Sequence, residues 1–257
     1  MHDASPQPVA QEPSETAIVR LDNISKSFGS KRAVKNLSLS LRAGEVFAFL
    51  GPNGAGKTTT LKMTTGLLRS DTGSVEVCGH SMRENGRLAK QQIAYIPDQP
   101  FLYDKLTGRE FVNFTREMYG VSKADGDRRL NELSERLDMD EFLDKLAENY
   151  SHGMKQKLAL AAALIHAPRV LVVDEPIVGL DPRTIRVIKA IFREMADAGG
   201  TIFMSTHTLD VAEQVADRLG IIHEGRLIAL GTLDELRASA ASADRLEDIF
   251  LRLTAQS

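Results

Sequence analysis

The stretch FLGPNGAGKTTTLKMTTG, residues 49–66, constrains this chain more than any other. An apolar run meets Gly51, Gly54 and Gly56, and helix-forming residues follow. Glycine is costly in backbone entropy, so glycines clustered where a strand hands over to a helix imply that something must approach the backbone closely. GPNGAGKT fits G-x-x-x-x-G-K-[ST] with Gly51, Gly56, Lys57 and Thr58. In such a loop successive N–H groups, here running through Asn53, Gly54, Ala55 and Gly56 to Thr59, turn inward as an anion nest. The helix starting near Lys57 adds its positive end. Lys57 is expected to reach β- and γ-phosphates, and the Thr58 hydroxyl to ligate Mg²⁺.

The chain has 257 residues, 42% of them apolar, enough for one large domain or two small ones. A net charge of −3 and a pI near 6.1 give no global basic field to attract nucleic acid. The lone Cys78 cannot form an internal disulfide and reads as a small apolar group on a strand. No apolar run reaches the ~18 residues needed to cross a bilayer; the longest, LALAAALI at 158–165, stops at His166 and Pro168. Residues 1–16, rich in Pro, Gln and Glu and without a hydrophobic signal core, read as a disordered tail.

From Ala17 the patterning predicts strands at AIVRLDNISKSF, NLSLSLR, GEVFAFL and QQIAYIP, with GSVEVCGH as a strand and turn and GSKR as the first turn. Leu37, Leu39 and Leu41 alternate as in a half-buried antiparallel strand, whereas GEVFAFL reads as buried on both faces. Between about 100 and 167 the texture is helical. LTGREFVNFTREMYG opens with a capping box, Thr107 and Glu110; ADGDRRLNELSERL, a short MDEFLDKLA and SHGMKQKLALAAALIH follow. Then RVLVVDE and TIFMSTH read as strands. DPRTIRVIKAIFREMADAGG reads as a helix burying Ile185, Ile188, Phe192 and Met195, and TLDVAEQVADR as another. LGIIHEGRLIALG is a hairpin turning at Glu224–Gly225, and TLDELR and ADRLEDIFLRLT are closing helices. The fold class is α/β, with helices inserted in the middle of the core.

A phosphate cradle hydrolyses nothing by itself. In RVLVVDEP, Asp174 and Glu175 end a buried strand, where ligands of open parallel sheets bind. Asp174 can hold Mg²⁺ through its waters, and Glu175 can polarise an attacking water.

Together with YSHGMKQKLALAAALIHAPRVLVVDEP, GLDP and MSTH, these motifs resemble the ATP-binding cassette (ABC) family over nearly the whole chain after the tail, most nearly the cassettes of exporters with separately encoded membrane subunits. The resemblance implies a P-loop NTPase core with a mixed sheet (17–99 and 168–231), an N-terminal antiparallel β-subdomain, a helical subdomain at 100–167 and C-terminal helices at 232–257. It implies ATP and Mg²⁺ as cofactors, with Lys57, Glu175 and His207 catalytic. Phe28 would stack on adenine, and His207 would touch the γ-phosphate. Ser151 and Gly153 would form a second anion site for the ATP of another cassette, and Asp181 would link the two sites. The implied partners are a second cassette, identical or not, and an integral membrane permease that this cassette meets through its helical subdomain at the cytoplasmic membrane face; nucleic acid is not among them. Three departures stand out: Asp98, followed by Gln99, where the family places a metal-sensing Gln, leaving either residue for that role; His152 and Met154 in the signature loop; and Ile177–Val178 where small polar residues are common. His2, His80, His152, His166 and His223 read as surface or structural. The alternatives are a nucleotide-sensing regulatory cassette with little hydrolysis, against which Glu175 and His207 stand, and a soluble cassette acting on nucleic acid, against which the lack of basic patches stands.

Overall fold

In a computed structural model the described residues are 17–177, 179–239 and 250; the expected N-terminal tail and the last helix, apart from Phe250, lie outside them. In chain order the elements are β1 (Ala17–Phe28), β2 (Lys31–Arg42), β3 (Val46–Leu50), α1 (Lys57–Thr64), β4 (Thr72–Val77), β5 (His80–Ser81), α2 (Gly86–Gln91) and β6 (Ile93–Ile96). Next come α3 (Gly108–Met118), α4 (Lys123–Arg136) and α5 (His152–Leu164). The chain continues through β7 (Val170–Asp174), α6 (Pro182–Asp197), β8 (Thr201–Thr206), α7 (Leu209–Val215), β9 (Arg218–His223), β10 (Arg226–Gly231) and α8 (Leu233–Ser239).

Two sheets result: a four-stranded antiparallel one ordered β2-β1-β4-β5, and a six-stranded one ordered β10-β9-β3-β8-β7-β6. In the second, β9, β3, β8, β7 and β6 run parallel and only β10 is antiparallel. Every residue of β3, β7 and β8 is buried. Side chains alternate between two cores: Val46, Ala48 and Leu50 join the helical residues, whereas Phe47 and Phe49 join Leu37, Leu39, Leu41 and the α1 residues Leu61 and Met63. A strand buried on both faces reads as a continuous apolar run for this reason.

The inserted helices between β6 and β7 follow their local signals. Thr107 accepts from Glu110 N–H while Glu110 takes Thr107 N–H, the capping box of α3. The short helix expected at MDEFLDKLA does not form. Phe142 O is taken by Lys145 N–H at 2.8 Å and the Tyr150 hydroxyl at 2.7 Å, and Leu143 O by Arg109 N–H at 2.9 Å. With those acceptors taken by Arg109 and Tyr150 from outside and by a three-residue turn bond from Lys145 within, the segment makes turns, and Met139, Phe142 and Leu143 still reach the core. In α6 the buried face is Ile188, Ile191 and Phe192, with Ile185 and Met195 only half-buried. The helix expected at 208–218 ends at Val215, because Asp217 is drawn onto Val46 N–H (2.8 Å) and Arg218 starts β9. The turn expected at GSKR forms at Gly29–Ser30, and Lys31 and Arg32 already belong to β2.

Candidate functional site

Parallel strands put their C-terminal ends on one rim, and the first ring of the site is built there. Leu50 pairs with Thr206 and Asp174 with Ser205, so the loop after β3, the Asp174–Glu175 pair and His207 are neighbours across three strands. The glycine loop is wedged between β2 and β9. A Cβ on Gly51 would sit 2.4 Å from Ile222 O, and one on Gly56 2.5 Å from Ala33 O. Gly56 is also left-handed (φ 113) where it caps α1. Protein packing as well as the expected ligand therefore excludes side chains there, while Gly54 faces open space. The β9–β10 turn at Glu224–Gly225 braces the loop, with Gly225 N–H donating to Ala55 O at 2.8 Å.

Lys57, 7% exposed, donates from Nζ to Gly51 O (2.6 Å) and lies 4.0 Å from Glu175 Oε1. Burial lowers its pKa, and the charges of Glu175 and Asp174 oppose that shift. Thr58 Oγ1 donates to Asp174 Oδ2 at 2.7 Å, and Ser205 Oγ donates to the other Asp174 oxygen. Thr58 and Asp174 are the hard oxygen donors that suit a small divalent cation which keeps several waters and phosphate oxygens of its own. Glu175 follows in a left-handed conformation (φ 51), with its N–H on Ser205 O. Its Oε1 meets His207 Nδ1 at 2.8 Å, while Oε2 is buried with no partner. A carboxylate only accepts, so the imidazole carries its proton on Nδ1.

Lys57, Thr58, Asp174 and Glu175 border a cavity of about 310 Å³, together with Phe28, Lys31, Ala33, Pro52, Asn53, Gly54, Gly56, Thr59 and Asp98, whereas His207 reaches it only through its bond to Glu175. Phe28 is 52% exposed, a ring offered to solvent beside an anion cradle. Asp98 borders the cavity; Gln99 is exposed and does not. Gly51 and Ala55 sit behind the loop surface. Ser151, Gly153 and Asp181 stand elsewhere: Ser151 caps α5 and Asp181 caps α6. Bonds from Thr184 draw the Asp181 carboxyl down to a pKa of about 2. Their two loops touch, with Leu180 beside Gly153 and His152 beside Gly179. Ile177 packs against the helical core, which accounts for one departure. Sequence reasoning passed over Ser205 and Gln156; for Ser205 the strand period that sets it beside Asp174 was the available signal.

Residues 34–178 match the family described as ABC transporter. The chain is 37% identical over 219 residues to the Linearmycin resistance ATP-binding protein LnrL of Bacillus subtilis (strain 168), covering 85% of this chain and 70% of that one. It is 38% identical over 225 residues to the Nod factor export ATP-binding protein I of Burkholderia lata, covering 88% and 74%. A solved structure titled "Structure of ATP binding subunit of ABC transporter" superposes with a TM-score of 0.88 at 32% identity, over 92% of this chain and 99% of that one. Cradle, paired carboxylates and these likenesses agree: the chain belongs to the ABC transporter family as one of its ATP-binding, ATP-hydrolysing cassettes.

Proposed function

We propose that this cassette powers export through a separate membrane permease, binding Mg²⁺-ATP in the rim cavity and working as one of a pair. The observation that carries the reading is the convergence of Lys57, Thr58, Asp174 and Glu175 on one cavity beside a solvent-facing Phe28, with His207 hydrogen-bonded to Glu175. Lys57 trades its loop carbonyls for the β- and γ-phosphates, whose charge favours its ammonium form. Thr58 and Asp174 would hold Mg²⁺, which would supply charge neutralisation at the phosphate oxygens. Glu175 polarises the attacking water, and His207 holds Oε1 and thereby the direction of the carboxylate. Phe28 stacks on the base.

Export is favoured by the two relatives, one a resistance protein and one an export protein. Among the described residues no helix is long and apolar enough to cross a membrane, and the path is assigned to a permease. The docking face is the aromatic surface on the helical insert, where Phe101 (79% exposed), Tyr103 and Met118 stand beside a groove lined by Pro97, Pro100 and Phe111. Phosphate release with Mg²⁺-ATP tests the core of this: Lys57→Ala and Glu175→Gln each lower turnover by about 10²-fold or more. Glu175→Gln still binds ATP, whereas Lys57→Ala does not. Undiminished turnover in Glu175→Gln contradicts the assignment.

A further inference from the structure

The bend after β6, Pro97-Asp98-Gln99-Pro100, lies between two hollows. Asp98 borders the nucleotide cavity, and Pro97 and Pro100 line the groove on the helical side. The prolines carry no N–H, so the bend has few means of fastening itself. One hydrogen bond, among the described residues, ties Asp98 to the rest of the chain: Gln156 Nε2 donates to Asp98 O at 2.9 Å across 58 residues. Gln156 is 5% exposed and sits one turn and a half into α5, the helix that Ser151 caps. A buried amide spent on one loop carbonyl is a costly arrangement unless the placement of that loop matters.

We infer that Gln156 is a positioning residue for Asp98. It holds the Asp98 carboxylate at the mouth of the phosphate cavity and fixes the distance between that mouth and the capped end of α5. This rests on the reading that the cavity holds ATP during hydrolysis.

Two variants and one background test it. Gln156→Met keeps volume and helix propensity but has no donor; Gln156→Lys keeps an N–H donor on an unbranched stem. In Gln156→Met, kcat falls by about tenfold or more while KM for ATP stays within about twofold, because a misplaced group costs the chemical step rather than uniform binding. Its melting temperature drops by no more than about 4 °C, as one net hydrogen bond implies. Gln156→Lys recovers at least about half of the lost rate, and in an Asp98→Ala background the Met change adds less than about twofold. The inference is overturned by wild-type kcat in Gln156→Met, by equal losses in the Met and Lys variants, or by full additivity with Asp98→Ala. A wild-type protein that releases no phosphate overturns instead the hydrolysis reading beneath it.

Discussion

Glu175 carries more local strain than its neighbours. It is a non-glycine residue at φ 51, flanked by Asp174, and one of its carboxylate oxygens is buried without a partner. A left-handed backbone costs an L-residue about 1–2 kcal/mol, and residues held this way cluster where the constraint serves chemistry. The strain aims Glu175 across the rim at His207 and Lys57. A stability consequence follows that contact counting would miss. In an ordinary helix interior Ala is more stabilising than Gly; here the order inverts. Glu175→Gly unfolds at higher urea than Glu175→Ala, by about 1 kcal/mol, because only glycine relaxes at that φ and part of the gain is lost to unfolded-state entropy. Both variants are inactive. Equal midpoints would mean that the left-handed turn is not imposed by its surroundings.

At the scale of elements, what joins the helical insert to the core is legible only in part. The capping box of α3 and the cap of α5 are local pairs three residues apart, so the sequence displays them. The central strands announce themselves because burial on both faces leaves near-continuous apolar runs. The glycine loop, the two carboxylates and His207 were readable for the same reason: each sits at the end of such a strand. The failed helix at MDEFLDKLA was not readable, since Arg109 and Tyr150 claim its carbonyls from distant positions. Nor was His166, whose ring stacks on Tyr119 at 3.7 Å and reaches Ile93 O at 3.3 Å, fastening the ends of α3 and α5 to the start of β6. Burial, with help from Arg129, drives its pKa from 6.5 down to about 4. The unfolded chain takes up a proton below pH 6.5 that the folded chain refuses until about pH 4, so stability falls as pH drops through that window and is flat above it. Discounted for partial exposure, the loss at pH 5 is about 1 kcal/mol. Melting curves of His166→Phe lack this slope; a slope retained in the variant would assign it to other groups.

For the whole molecule the decisive geometry is a separation. Lys57, Thr58, Asp174 and Glu175 border the cavity, while Ser151, Gly153 and Asp181 do not. Within one chain the capped end of α5 has no phosphate to meet, although its orphan N–H groups and positive end suit one. A second copy turned head to tail would supply it, giving two nucleotides shared between two bodies. Closure then depends on ligand that bridges: to swing a pair from mostly open to mostly closed, ATP must favour the closed form by about 10⁴-fold, or about 5.5 kcal/mol. Hydrolysis removes that preference, so the closed pair accumulates only when hydrolysis is blocked. Sedimentation of Glu175→Gln with Mg²⁺-ATP is therefore expected to show dimers, and the same protein with ADP monomers. Adding Ser151→Glu places a carboxylate where the partner's phosphate would lie, and dimers disappear while ATP binding to each monomer persists. If the double variant still pairs with ATP, the capped end of α5 is not the second half of the site, and its Ser151 is a helix cap alone.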